Sequence, residues 1–176
     1  MTTDVRQHVV CILDSIKADF PNRKLTAETI MRANGIEEDL QMQIKTPSSV
    51  GMLPTFNSEV MHIATPMLKA RFDYAGAWSM AYSIWLGADE LGCHMQSQIV
   101  QLYHTALREN WDDSAPMKFS DDKLTLFGIK EGVPQDLIYI VWCNGGREPE
   151  IWMYESYSEH RFSHLVSFLE FVRDRP

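Results

Sequence analysis

The chain is short of the features that mark a membrane protein, a disulfide-stapled domain or a common hydrolase. It holds three cysteines, Cys11, Cys93 and Cys143. An odd number at wide spacing is a poor disulfide framework, and no C-x-x-C pair offers zinc ligands. Their apolar surroundings predict buried thiols, which suits a reducing compartment. No apolar run approaches the roughly 18 residues of a membrane span. The first residues, MTTDVRQHVVCILDSIK, interrupt their apolar positions with Arg6, Gln7, His8 and Asp14. They therefore lack the unbroken apolar stretch of a secretory signal. A cytoplasmic location is expected.

Positive charge is also scarce. Lys and Arg number 16 against 24 Asp and Glu, a formal net charge of −8. Phosphate recognition needs clustered cations, so nucleic acid is not the expected ligand. A basic protein partner is compatible, because opposite charge speeds encounter.

Catalytic signatures are missing as well. There is no G-x-S-x-G elbow and no Gly-rich phosphate loop. None of the six histidines sits in an H-E-x-x-H pattern. His160 and His164 stand four residues apart on what reads as the closing helix. That spacing can hold a metal, but no third or fourth ligand is evident beside it. Cys93 and His94 are neighbours, and neighbours on a helix point about 100° apart. No catalytic residue, no metal and no cofactor is expected.

What is present is a folded domain. The 176 residues are 45% hydrophobic, enough for one core, so a single domain over residues 1–176 is expected. Val5, Val9, Ile12, Leu13, Ile16 and Phe20 recur at helical spacing and predict a helix from Thr3 to Phe20, ended by Pro21-Asn22. A short second helix follows, with Thr26 as N-cap, Ile30 and Met31 facing inward and Gly35 just past its end. From Ile36 to Met67, Pro47, Gly51, Pro54 and Pro66 break the pattern, which predicts a loop-rich stretch with one or two short elements. Trp78, Ala81, Tyr82, Trp85 and Leu86 predict a helix from near Pro66 to about Gly87. Met95, Ile99, Leu102, Tyr103, Ala106 and Leu107 predict another, from Asp89 to about Trp111.

The last third changes period. Leu124 and Leu126 alternate with polar neighbours, and Asp136–Cys143 is a β-branched and aromatic run suited to a strand buried on both faces. Asn144-Gly145-Gly146 is turn chemistry. Glu150–Glu155 then pairs back as the next strand. Ser158 is a plausible N-cap for a closing helix carrying Phe162, Leu165, Val166, Phe168, Leu169 and Val172. The expected fold is α+β: a helical N-terminal and middle region packed with a small antiparallel sheet and a C-terminal helix.

The segment from Arg147 to Glu159 sets aromatics beside carboxylates. Trp and Tyr dominate interface hot spots, and carboxylates steer basic partners. Glu148, Glu150, Trp152, Tyr154, Glu155, Tyr157 and Glu159 are the candidate partner-binding residues. Tyr74, Trp78, Asp112 and Asp113 form a second group. The competing reading makes Trp152 and Tyr154 half-buried strand residues and the acids solvated turn charges.

The run GIKEGVPQDLIYIVWCNGGREPEIWMYESYSEHRFSHLVSFLEFV, with its "P-E-x-W-x-Y" strand and "F-x-x-L-x-x-F-L" helix, resembles the C-terminal portion of the SUKH group of bacterial proteins. The resemblance covers about a quarter of the chain. It implies an α+β domain that acts as an immunity protein, binding a cognate protein toxin delivered by a neighbouring cell. An acidic binder of this kind would occlude the basic active-site cleft of a toxin such as a nuclease. Two other classes remain open. One is a small enzyme or ligand-binding domain with a pocket near Cys93, His94 and His104. The other is an oligomeric subunit whose aromatics form a self-interface.

Overall fold

The computed structural model describes residues 4–35, 40–80, 83–130, 136–143, 145, 147–155 and 158–175. The amphipathic opening forms a helix, and a longer one than its proline suggests. α1 spans Val5–Ala33, with Asp4 as N-cap accepting from the Arg6 amide, and runs through Pro21. A proline inside a helix removes one i→i−4 bond. Pro21 lies on the exposed face, where water can satisfy the carbonyl that loses its donor. Beyond it, Arg23 ties the helix to the far end of the chain by donating to Val172 O at 2.7 Å and to Arg173 O. The expected break and the separate second helix therefore do not occur. Thr26 lies mid-helix with its hydroxyl donating back to Asn22 O, and Ile30 is exposed while Met31 is buried.

Three short strands follow: β1 (Met42–Ile44), β2 (Met52–Pro54) and β3 (Met61–Ile63). α2 (Pro66–Tyr74) then gives way to a hairpin, β4 (Trp78–Met80) and β5 (Ser83–Trp85). The helix expected to reach Gly87 thus stops at Tyr74. The seven-residue interval from Trp78 to Trp85 is not two helical turns but a cross-strand pair, the two indoles meeting edge-on at 5.5 Å. Ala81 and Tyr82, placed on that stripe, lie outside the described residues.

The next expected helix is split in two, α3 (Leu91–Met95) and α4 (Gln98–Asn110). Ser97 makes the break: its hydroxyl donates to His94 O and accepts from the Val100 amide as the N-cap of α4. The stripe assigned to the core holds only in part, with Met95 and Leu107 buried. Val100, His104 and Leu107 face inward, whereas Ile99 and Leu102 are 46% and 60% exposed. α5 (Ala115–Lys118) and a single 3-10 turn (Asp121–Lys123) lead into the last third.

That third holds β6 (Leu124–Lys130), β7 (Leu137–Val141), β8 (Glu150–Glu155), β9 (Ser158–Phe162) and α6 (Leu165–Asp174). β7 is buried along its whole length, as its composition requires. Gly145 has φ +47°, as turn chemistry predicts, while Asn144 and Gly146 lie outside the described residues. Ser158 does not cap a helix. The stretch Ser158–Phe162 pairs with β8, and α6 starts later, with His164 as N-cap accepting from the Ser167 amide. His160 is therefore on a strand, and the helical His160–His164 pair does not form.

The seven-stranded sheet has the order β1-β4-β5-β6-β7-β8-β9, antiparallel throughout, and β2 and β3 form a separate two-stranded sheet. β6 carries a register shift at Leu126/Gly128, and Gly128 allows close approach there, since a Cβ would sit 2.9 Å from Ile84 O. One face of the sheet meets α2 and α6, with Phe168 packed on Trp85 and Phe127 and Phe72 edge-on to Phe127, and α1 packs on those two helices. The opposite face is covered by the middle segments: Tyr139 meets Phe56 and His104, Tyr154 meets Trp111, and Trp152 meets Phe119. Helices thus flank an antiparallel sheet, an α+β fold.

A fully buried arginine sits in the core. Arg71 donates to Ala75 O at 2.7 Å and Gly76 O at 3.2 Å, the carbonyls at the end of α2. Its guanidinium lies within 6 Å of the ring centres of Phe72, Trp85 and Phe127 (5.6, 5.9 and 5.8 Å). Burial lowers its pKa to about 10, so the cation persists at neutral pH, held by helix-end carbonyls and aromatic faces. All three cysteines are exposed rather than buried. Among the described residues no helix is long and apolar enough to cross a membrane.

Candidate partner-binding edge

The acidic-aromatic segment falls at one end of the seven-stranded sheet, in β8, the edge strand β9 and the turn before β8. Alternation along β8 sends Trp152 and Tyr154 to one side, but both end as core residues, 3% and 2% exposed. Trp152 is sandwiched: the Arg161 guanidinium lies 3.9 Å from its ring centre, and Phe119 packs edge-on. Arg161 stands opposite Trp152 in the β8–β9 register, which is why its side chain covers the indole. The Tyr154 hydroxyl accepts from the Ala115 amide at 2.7 Å. Burial and the neighbouring Glu159 hold its proton well above the ordinary phenol range.

The carboxylates are engaged within the fold. Glu148 accepts from the Thr65 hydroxyl and from the Met67 amide at 3.1 Å. Thr65 is the N-cap of α2, but its side chain bonds no helix amide, so Glu148 supplies from a distant turn the anion that a helix N-terminus favours. Glu150 accepts from the Trp152 indole N–H at 2.8 Å. Glu155 pairs with Arg175 at 2.6 Å and Lys130 at 3.8 Å. Glu159 pairs with Arg161. Tyr157 lies outside the described residues.

In the second group, Tyr74 donates to Asp14 at 2.7 Å, and burial with that carboxylate pushes its pKa up to about 12. Trp78 is 1% exposed and belongs to the core. Asp112 and Asp113 are exposed, and Asp113 adopts φ 66° in the turn after α4. That turn touches the edge strand, because Arg161 Nη2 donates to Asp113 O at 3.1 Å. The fold therefore brings Asp112–Asp113 beside Glu159, a proximity that their wide separation along the chain hides from any local pattern.

Cys93, His94 and His104 are not gathered into one pocket. Cys93 is exposed on α3, and His94 lines a groove of about 320 Å³ with Glu90 and Lys45. His104 is 2% exposed and locked elsewhere. Its Nδ1 lies 3.1 Å from the Tyr139 hydroxyl, its Nε2 3.0 Å from Asp121, and its ring stacks on Phe56 at 4.0 Å. Desolvation lowers the His104 pKa, with Asp121 opposing. Burial alone would raise Asp121, but hydrogen bonds from Arg108 and His104 outweigh it and lower its pKa. This network was only half visible in the sequence, since nothing local pairs His104 with Asp121 or Tyr139. Cys143 is also chemically quiet: partial burial of the thiol and the adjacent Glu150 push its pKa up to about 11. Among the described residues no group of three or more His, Cys, Asp and Glu is arranged to hold a metal.

No protein-family model matches the chain, and neither a curated protein nor a solved structure matches it.

Proposed function

We propose that this chain is an immunity protein that neutralises a basic toxin in the cytoplasm by binding over its active site. The observation that carries the reading is the meeting of the exposed Asp112–Asp113 turn with β9, the open edge strand that bears Glu159. Two exposed acids beside an unpaired strand edge suit a partner rich in Lys and Arg. The net charge of −8 adds long-range attraction to such a partner. The resemblance of the last third to SUKH immunity proteins points the same way. Trp152 and Tyr154 then act from beneath, as the packed floor that holds the edge, rather than as inserted anchors.

The test is co-purification with the product of the gene immediately upstream, in moderate salt. The expected result is a complex that Asp112→Lys with Asp113→Lys weakens and that inhibits the partner's activity. Failure of the purified pair to associate, or binding indifferent to both substitutions and to salt, removes the proposal.

A further inference from the structure

Among the described strands, the exposed large apolar side chains gather on β2 and β3. Cross-strand pairs Met52–Ile63 and Pro54–Met61 share one face of this sheet, and Leu53 and His62 share the other. Leu53 is fully buried, and the His62 ring stacks on Trp142 at 4.6 Å. The outward face is left with Met52, Met61 and Ile63 at 47%, 48% and 71% exposure. Exposed apolar side chains gathered in this way mark an interaction site, and methionine adapts to varied partners.

The backbone beside them is open too. Ala64 N donates to Gly51 O and Thr55 N to Val60 O, which makes 51/64, 53/62 and 55/60 the hydrogen-bonded pairs. Met61 and Ile63 therefore turn their N–H and C=O groups away from β2, toward an edge where the two-stranded sheet has no further strand. Along this stretch runs a groove of about 740 Å³, lined by Met61, Ile63, Trp142, Lys69 and Arg147. Lys69 and Arg147 are exposed, and neither pairs with a carboxylate among the described residues. The neighbouring carboxylate of Glu148 is committed to Thr65 and Met67. Two unpaired cations frame an apolar strand edge on a chain whose overall charge is −8.

We infer that the β3 edge is a second binding site, which takes an extended acidic–apolar segment of another protein as an added strand. Its backbone would bond to Met61 and Ile63, its apolar side chains would cover Met52 and Ile63, and its carboxylates would meet Lys69 and Arg147. The same charges disfavour a second copy of this chain, which would bring like cations together across the pairing.

The probe is a fluorescein-labelled, end-blocked seven-residue peptide alternating Glu with Val, titrated against the full chain by fluorescence anisotropy. Two controls carry Lys for every Glu, or N-methyl groups along the backbone. Saturable binding of the Glu peptide is expected, weakened at least about tenfold by Lys69→Glu with Arg147→Glu and by N-methylation. The Lys peptide should not bind, and amide exchange at Met61 and Ile63 should slow in the complex. Unsaturable binding, equal affinity for the Glu and Lys peptides, or unchanged exchange at those two amides overturns the assignment. A dimer in sedimentation that Ile63→Lys dissociates also overturns it, because a second copy would then occupy the edge. Neither arm involves Asp112, Asp113 or Glu159, so failure here is distinct from failure at β9.

Discussion

The β8–β9 edge and the β2–β3 sheet are opposites. The acidic edge has the composition of an interface and the packing of a core: Trp152 and Tyr154 are buried, and Glu148, Glu150, Glu155 and Glu159 hold internal partners. The small sheet has the composition of a loop, yet it exposes Met52, Met61 and Ile63 beside two unpaired cations. Composition reports what a segment can touch. Register and covering elements decide whether it touches a partner or its own fold.

Substitutions separate the two regions. Trp152→Ala removes an indole packed against Arg161 and Phe119 and should cost about 3–5 kcal/mol, read as the shift in a urea unfolding curve. Were the loss near zero, the indole would be surface. Glu148→Ala strips the α2 N-terminus of its acceptor and should cost about 1 kcal/mol; Glu148→Gln should recover part of it.

A graded effect is expected with pH. Because desolvation holds His104 below its ordinary 6.5, the unfolded chain binds this proton more tightly than the folded one. Stability from this residue is full above 6.5 and declines as pH falls through 6.5 toward the folded value. Asp121 adds to the trend lower down, since its pKa is depressed below 3.8 and its contribution is lost as the carboxylate protonates. The urea midpoint should fall between pH 7.5 and pH 5.5, and His104→Gln should flatten that slope; an unchanged slope would place the proton uptake elsewhere. The smallest effect belongs to the other region: Ile63→Ser, at 71% exposure, should change stability by no more than about 0.5 kcal/mol.

Much of the last third was legible because its strands obey a period of two and its turn residues are distinctive. β8 coincides with the predicted Glu150–Glu155, and β7 falls inside Asp136–Cys143. The misreadings have physical causes. Residues seven apart meet on a helix and also across a tight hairpin, so Trp78 and Trp85 imitate two turns of helix. Ser158 has the chemistry of a cap, but Glu159 and Arg161 alternate with His160 and Phe162, the mark of the strand that formed. Pro21 is a usual helix stop, yet on an exposed face, with Arg23 anchored to the end of α6, the helix continues. Along α4 only part of the apolar stripe faces in: Leu107 is buried, but Ile99 and Leu102 are exposed, and His104 takes an inward position with its own hydrogen-bond partners. Of the candidate site, the edge position of Glu159 and its nearness to Asp113 needed the sheet order, which no local pattern contains. The β2–β3 face left a faint trace in Met52-Leu53-Pro54 and Met61-His62-Ile63, two apolar triplets around Asn57-Ser58, too short to read as strands.

The contrast between the two regions is tested most directly by methionine oxidation, since each region carries its own reporters. Under limiting peroxide, mass spectrometry should find Met52 and Met61, near half exposure, converted to sulfoxide well before Met153 at 8%. Oxidation of Met153 at the rate of Met52 and Met61 would mean that β8 is open to solvent, and it would contradict the division between a packed acidic edge and an exposed apolar sheet.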